Sequence, residues 1–365
     1  MYLKNISLVS FKNYKEAELK LSSKINCFVG NNGSGKTNLL EAIHYLSMCK
    51  SFLGTTDAMN VNFEHPFFVL QGNYELNNNE EKIHIGYKKN QKKTISRNGK
   101  EYKTLSEHIG LLPLTLVSPA DIELITGSGD ERRRFLDSVI SQFNREYLHA
   151  LIRYQKALLQ RNNLLKIFDE KKYFDNSQLE IWDEQLILNG EIIYKTRQEF
   201  ITNLQPVFND FYNYIANNNE EVTILYQSQL QNTNFRNLIQ QHLDKDRYIL
   251  HTTAGVHRDD LLLHLNNFAI KKIGSQGQQK TFLLALKFAQ FEFMTRICKF
   301  KPMLLLDDIF DKLDENRVLQ ILNLVNSDRF GQIFITDTSK ERLNKLFKQM
   351  QSDLSYFVIK NGEVD

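Results

Sequence analysis

Residues 30–37 read Gly30-Asn31-Asn32-Gly33-Ser34-Gly35-Lys36-Thr37, and they satisfy the pattern G-x-x-x-x-G-K-[ST] at every fixed position. The spacing is a device for holding a phosphate chain. Glycines let successive backbone N–H groups turn inward, and the helix that follows points its positive N-terminus at the same spot. In this pattern Lys36 reaches the β- and γ-phosphates of ATP and the Thr37 hydroxyl holds Mg²⁺. The flanks agree. Ile25-Asn26-Cys27-Phe28-Val29 is a short apolar run, as expected of a buried strand, and Leu39, Leu40, Ile43 and Leu46 recur at helical spacing through Thr37–Cys49. A chance glycine-rich turn would lack both flanks.

Composition narrows the setting. The 365 residues are 42% hydrophobic and 24% charged, ordinary for a soluble globular protein and enough for two domains or one with a large insertion. A net charge of +3 permits an anionic partner without demanding one. Cys27, Cys49 and Cys298 are far apart, so neither a C-x-x-C metal site nor a disulfide framework is expected. No secretory signal is visible and no apolar run reaches the roughly 18–20 residues of a membrane span. A cytoplasmic location is the expectation.

Strand patterns fill the first hundred residues: Leu3–Val9, Ala17–Leu21, Ile25–Val29, Phe67–Leu76, Lys82–Lys89 and Lys93–Arg97, with Asn98-Gly99 as a hairpin turn. From about Asp130 the period becomes helical. Tyr147, Leu151, Tyr154, Leu158 and Leu165 form one seam, and Trp182, Leu186, Asn189, Ile193, Thr196 and Phe200 another, across a polar break at Asp169–Gln178. An antiparallel helical hairpin is expected, too short and too polar for a long coiled-coil arm. After Leu250 strands and helices alternate. The fold class expected is therefore α/β: an ATPase core from residues 1–112 and 251–365, with a mainly helical lobe at 113–250 inserted.

A second motif completes the first. Pro302-Met303-Leu304-Leu305-Leu306-Asp307-Asp308 is an apolar strand ending in two carboxylates, and a buried parallel strand delivers its C-terminal residues to the ligand crevice. Asp307 is the expected Mg²⁺ partner and Asp308 the group that polarises the attacking water. Lys36, Asp307 and Asp308 are thus the catalytic candidates. Between the motifs, Gly274-Ser275-Gln276-Gly277-Gln278-Gln279-Lys280-Thr281 opens a helix-like stretch. It reads either as an anion site or as a helix cap by Ser275.

This last segment resembles the L-S-G-G-Q signature of ABC-type ATPases at Ser275, Gly277 and Gln278, departing at Gly274 and Gln276. Asp311-Lys312-Leu313-Asp314 sits where those ATPases carry a loop crossing between subunits. The resemblance implies that Ser275, Gly277 and Gln278 cap a nucleotide held by a partner chain, so that two chains sandwich two ATP molecules. Further blocks narrow the family. Ser10-Phe11-Lys12-Asn13-Tyr14, Ser118-Pro119-Ala120-Asp121, Glu131-Arg132-Arg133-Arg134-Phe135-Leu136-Asp137, Gly255-Val256-His257-Arg258-Asp259-Asp260-Leu261 and Ser275–Thr281 resemble, in order, motifs of the RecF family of DNA-repair ATPases. That family has ABC-type heads without a long arm. The resemblance implies an ATP-dependent homodimer on double-stranded, gapped or single-stranded DNA, acting with RecO and RecR to load RecA in gap repair.

Departures from the family pattern carry their own expectations. Leu53 replaces arginine in Lys50-Ser51-Phe52-Leu53. No histidine stands in Ile335-Thr336-Asp337-Thr338, where a switch histidine is expected. Ser118–Asp121 holds no glutamine where one is expected, leaving Gln71 as the other candidate. Asp308 stands for a longer glutamate. Slow hydrolysis is the expected result. His257 and Arg258 fit a structural or a site-monitoring role equally.

Lys88, Lys89, Lys92, Lys93, Arg97, Lys100 and Lys103 crowd one hairpin, Arg132–Arg134 form a second cluster and Lys271-Lys272 a third. Each reads either as a DNA-phosphate contact or as ordinary surface chemistry: a lysine-protected edge, or, for the arginines, pairing with Asp130, Glu131 or Asp137. A transporter ATP-binding subunit, an SMC-like nuclease ATPase and a small-molecule kinase share parts of this motif set. The first is disfavoured by the helical insert and the later blocks, and the second by the missing arm. The kinase leaves the signature segment unexplained.

Overall fold

The computed structural model describes residues 1–217, 220–310, 313–339, 341, 343 and 354–364. The chain opens with strands β1 (Tyr2–Phe11), β2 (Tyr14–Lys20) and β3 (Ile25–Val29), followed by helix α1 (Lys36–Met48). Strands β4 (Phe67–Leu76), β5 (Asn79–Lys88), β6 (Thr94–Arg97), β7 (Lys100–Glu101) and β8 (Leu114–Val117) come next. Helices α2 (Glu123–Thr126), α3 (Gly129–Ile140), α4 (Arg145–Glu170) and α5 (Asn176–Ala216) lead to β9 (Val222–Gln227), α6 (Phe235–Ile249), β10 (Asp260–Leu265), β11 (Phe268–Ala269) and α7 (Ile270–Ile273). The chain closes with α8 (Gln276–Cys298), β12 (Met303–Leu306), α9 (Glu315–Asn326), β13 (Ile333–Asp337), β14 (Leu354–Lys360) and β15 (Glu363–Val364). Among the described residues no helix is long and apolar enough to cross a membrane.

Two compact units result. One comprises Met1–Asp121, Phe211–Asn217 and Gln276–Asp365, the other Ile122–Asp210 and Asn218–Ser275. The divisions expected after residues 112 and 250 fall instead after Asp121 and Ser275. The reason is pairing: β8 lies parallel to β12, with Leu114 opposite Met303 and Val117 opposite Leu306, so it belongs with the strand that carries Asp307.

In the first unit an antiparallel sheet, β2-β1-β4-β5-β6-β7, accompanies a second sheet in the order β15-β14-β3-β13-β12-β8. Strands β14, β3, β13, β12 and β8 of the second sheet are mutually parallel. Helix α1 is buried between them. Leu39, Leu40, Ile43 and Leu46 are fully buried, together with Leu8, Phe11 and Phe68 of one sheet and Phe28 and Phe334 of the other. Each such side chain stabilises the fold by about 1.5–3 kcal/mol. Beyond these apolar positions Glu41, His44 and Ser47 are buried too, because α1 meets a sheet on either side. Lys12 lies 3.8 Å from Glu41 and His44 Nδ1 meets Lys50 O at 3.1 Å, while burial pushes the His44 imidazole down to about 3. Gln332 stitches the two sheets, accepting from Leu3 N at 2.7 Å and donating to Leu3 O and Ser22 O at 2.8 Å each. Burial pushes the Cys27 and Cys49 thiols up to about 12, so both are unreactive. Cys298 is free and half-buried.

In the second unit α4 and α5 form the expected antiparallel hairpin, and buried ions fix its register. Arg161 pairs with Asp183 and Asp246 at 2.6 Å each. Arg197 pairs with Asp137 at 2.8 Å and Asp259 at 3.1 Å, and donates to Tyr147 Oη at 2.9 Å. Tyr226 donates to the same Asp259 carboxylate. His257 engages Tyr154 Oη at 2.7 Å through Nδ1 and Thr252 O at 3.1 Å through Nε2, and burial pushes it down to about 4. Both ring nitrogens are occupied by the fold, which favours the structural role for His257. Removing Arg197 would leave Asp259, 1% exposed, as an uncompensated buried charge. Arg197→Met is expected to lower stability by about 3–5 kcal/mol, read as a lower denaturant midpoint. An unchanged midpoint would contradict this account of the register.

Candidate functional site

Strand β3 ends at Val29, and Gly30 N donates to Asp337 O at 3.3 Å at the end of β13. The chain then turns through Gly33 (φ 78°) and Gly35 (φ 117°), left-handed positions that suit glycine. Gly30 is excluded from carrying a side chain for a different reason: a Cβ there would lie 2.3 Å from Ile359 O. The loop closes on itself through Lys36, whose Nζ donates to Gly30 O at 2.8 Å and Asn31 O at 3.0 Å. Asn31, Asn32 and Gly33 are exposed at its rim. Ser34 Oγ is buried without a hydrogen-bond partner, an orphan suited to a ligand oxygen.

The sheet order then brings in the second motif. β13 separates β3 from β12, so the C-terminal ends of all three strands lie side by side. Asp307 N donates to Val117 O at 2.8 Å, which holds the residue at its strand end. Its carboxylate accepts from Thr37 Oγ1, 3.1 Å from each oxygen, and from Thr336 Oγ1 at 2.7 Å. Thr336 Oγ1 also accepts from Asp308 N at 2.9 Å, and Asp308 itself sits at a left-handed φ of 45°. Burial pushes the Asp307 carboxyl above the ordinary carboxylate range; Thr336, Thr37 and Lys36 oppose that push, and the Asp308 charge adds to it. A divalent cation would relieve the crowding. The Thr37 hydroxyl and Asp307 carboxylate are hard oxygen donors that suit Mg²⁺, which draws its remaining ligands from water and phosphate. Among the described residues no three His, Cys, Asp or Glu side chains converge as a metal cage.

Ser275 is exposed and immediately precedes α8, while Gly277 and Gln278 lie half-buried in its first turn. The helix is buried from Thr281 to Phe291. Asp311 and Lys312 of the expected crossing loop lie outside the described residues. Asp314 caps α9, accepting from Arg317 N at 3.0 Å.

Several positions gain a place from the structure. Ser118–Asp121 follows β8 beside Asp307, and Asp121 accepts from Lys287 Nζ at 2.7 Å, whereas Gln71 sits mid-strand opposite Ser7 and His84. Thr336, noted for the missing histidine, is the polar bridge between Asp307 and Asp308. Leu53 is exposed and Phe52 packs edge-on against His44. The basic clusters are thinned by the fold. Lys93 donates to Tyr45 Oη at 2.7 Å and pairs with Asp57 at 3.0 Å, and Arg97 pairs with Glu81. Lys88, Lys89, Lys92, Lys100 and Lys103 remain exposed. Arg132 grips Asp260 through two bonds at 2.6 and 3.0 Å, and Arg133 pairs with Asp130 and reaches Asp259 O. Only Arg134 of the triplet is exposed, 3.8 Å from Glu131. Asp137, the third expected partner, belongs to Arg197 instead.

The RecF/RecN/SMC N terminal domain family matches residues 2–357. The chain is 50% identical over 366 residues to the DNA replication and repair protein RecF of Phocaeicola vulgatus, covering 100% of this chain and 98% of that one. It is 46% identical over 357 residues to the RecF of Flavobacterium johnsoniae, covering 98% and 99%. A solved structure of the recombination mediator protein RecF-ATP in the RecFOR pathway superposes with a TM-score of 0.90 at 35% identity, covering 100% of this chain and 97% of that one. An Smc head domain from Pyrococcus furiosus shares the fold alone, with a TM-score of 0.58 at 18% identity over 100% of this chain and 95% of that one. The architecture is that of an ABC-type ATPase head, and the chain belongs to the RecF family of DNA replication and repair proteins.

Proposed function

We propose that this protein is an ATP-switched DNA-binding protein of recombinational gap repair. It dimerises on ATP and DNA, acts with RecO and RecR to load RecA onto single-stranded gaps, and resets by slow, DNA-stimulated hydrolysis. The observation that carries the reading is the Thr37–Asp307 hydrogen bond, which joins two motifs 270 positions apart in one buried site. The ATP-bound RecF relative adds the nucleotide.

In this reading Lys36 exchanges the Gly30 and Asn31 carbonyls for the β- and γ-phosphate oxygens, and the loop amides face the phosphate chain. Mg²⁺, held by Thr37 and Asp307, supplies charge neutralisation when bound. Asp308 orients the water whose oxygen bonds to the γ-phosphorus as the bond to the β,γ-bridging oxygen breaks. Its short side chain, one methylene less than glutamate, makes the step slow. Exposed Ser275 at the α8 N-terminus, with Gly277 and Gln278, caps the γ-phosphate of a partner copy.

Lys36→Ala is expected to weaken ATP binding at least about tenfold and to erase the ATP-dependent gain in affinity for a gapped duplex, read by fluorescence anisotropy. Equal DNA affinity of the wild-type protein with and without ATP would overturn the switch. For the DNA surface we assign the five exposed hairpin lysines. Replacing Lys88, Lys89 and Lys92 with alanine should reduce the slope of log affinity against log salt by about 0.9 for each DNA phosphate that the variant no longer neutralises, with ATP affinity unchanged. An unaltered slope would remove the hairpin from the interface.

A further inference from the structure

The phosphate loop is braced from outside by residues of the β1–β2 and β14–β15 turns. Asn13, in the turn between β1 and β2, donates from Nδ2 to Ser34 O at 3.0 Å. Gly362 N, in the turn between β14 and β15, donates to the same carbonyl at 2.9 Å. Tyr14 Oη donates to Gly35 O at 3.0 Å, and Leu39 N donates there as well, at 3.1 Å. Asn38, in the first turn of α1, donates from Nδ2 to Asn13 Oδ1 at 2.7 Å and so fixes the orientation of the Asn13 amide. Packing closes the joint. A Cβ on Gly35 would lie 2.6 Å from Asn13 Nδ2, and one on Gly362 would lie 2.2 Å from Asn13 O.

Peptide planarity turns these bonds into a statement about the amides. Each carbonyl is rigidly trans to the N–H of the next residue. Two donors on Ser34 O therefore aim the Gly35 N–H, and two donors on Gly35 O aim the Lys36 N–H. A free carbonyl could instead rotate toward the cradle and present its oxygen to an anion.

We propose that Asn13 is a positioning residue for phosphate binding, acting with Tyr14 and the Asn361-Gly362 turn to hold the Gly35 and Lys36 amides toward the phosphate chain. This rests on the reading of residues 30–37 as the ATP site. The brace acts on the cradle and not on the base, so its loss weakens every ligand with a phosphate chain alike.

The test measures calorimetric affinity for ATP, ADP and inorganic tripolyphosphate in Asn13→Ala, Tyr14→Phe and Lys36→Ala, alongside the melting temperature without ligand. Asn13→Ala should weaken all three ligands in parallel by about tenfold, and the isosteric Tyr14→Phe by about threefold. At saturating ATP the turnover should change less than KM. Asn38→Ala should weaken binding in the wild type and add nothing in the Asn13→Ala background, since it acts through Asn13. Tripolyphosphate affinity within twofold of wild type in both Asn13→Ala and Tyr14→Phe, while Lys36→Ala loses binding, would overturn the brace alone. Wild-type binding by Lys36→Ala would overturn the ATP-site reading with it. A lowered melting temperature with unchanged ligand affinity marks Asn13 as merely structural and also overturns the proposal.

Discussion

The site depends on one arrangement of strands. β13 lies between β3 and β12, all parallel and in register, so the loop after β3, the Thr336 hydroxyl and the Asp307 carboxylate are delivered to one end of the sheet. A buried carboxylate in this position is unfavourable unless its lone pairs are filled. Thr37 and Thr336 fill them, and in doing so Thr336 also fixes the backbone of Asp308. A one-residue slip of β12 would turn Asp307 away from Thr37 and bury Asp308 on the wrong side. β12 is wholly apolar, so hydrogen bonding at the strand ends helps to set the register, where Asp307 N meets Val117 O and Gly30 N meets Asp337 O.

Around that sheet the molecule spends its polar residues on position. Gln332 links the two sheets of the first unit, Asn13 and Gly362 tie the β1–β2 and β14–β15 turns to the phosphate loop, and Lys12 lies beside the buried Glu41 of α1. In the second unit the work falls to buried ion pairs. Asp259 and Asp260, adjacent in sequence, hold Arg197 and Arg132 respectively, so the Gly255–Leu261 block anchors two helices at once. Such pairs contribute modest net stability, but losing one partner strands a charge. They specify register more than they add strength.

The core of this architecture was readable because it is local. Strands at Ile25–Val29 and Phe67–Leu76, the phosphate loop and the acidic strand end carry their signals within a few residues. The roles of the basic residues were not, because partners far along the chain decide them: Arg132 meets Asp260 from 128 positions away, and Lys93 meets Asp57 from 36 positions away, with β4 and β5 between them. Composition shows positive charge in both clusters without showing which charges the fold consumes. Asn13 and Thr336 are similar cases. Asn13 sits in the turn of the antiparallel β1–β2 hairpin and Thr336 on the parallel strand β13, and tertiary packing brings each to the nucleotide site. The burial of Glu41, His44 and Ser47 on α1 was hidden for a related reason, since the apolar spacing does not reveal that a second sheet covers the polar side.

In the proposed function the site is completed by a second copy, with the loop at Lys36 facing the Ser275 segment of its partner. Mixing Lys36→Ala and Ser275→Arg chains tests it most directly, with ATP, Mg²⁺ and gapped DNA present, by light scattering and hydrolysis together. Each variant alone should stay monomeric and inactive. Their mixture should form heterodimers that each hold one intact site of two, recovering up to about half of wild-type activity because neither variant pairs with itself. A mixture as inactive as its components, or a monomeric Ser275→Arg protein that hydrolyses ATP at the wild-type rate, would contradict the shared site.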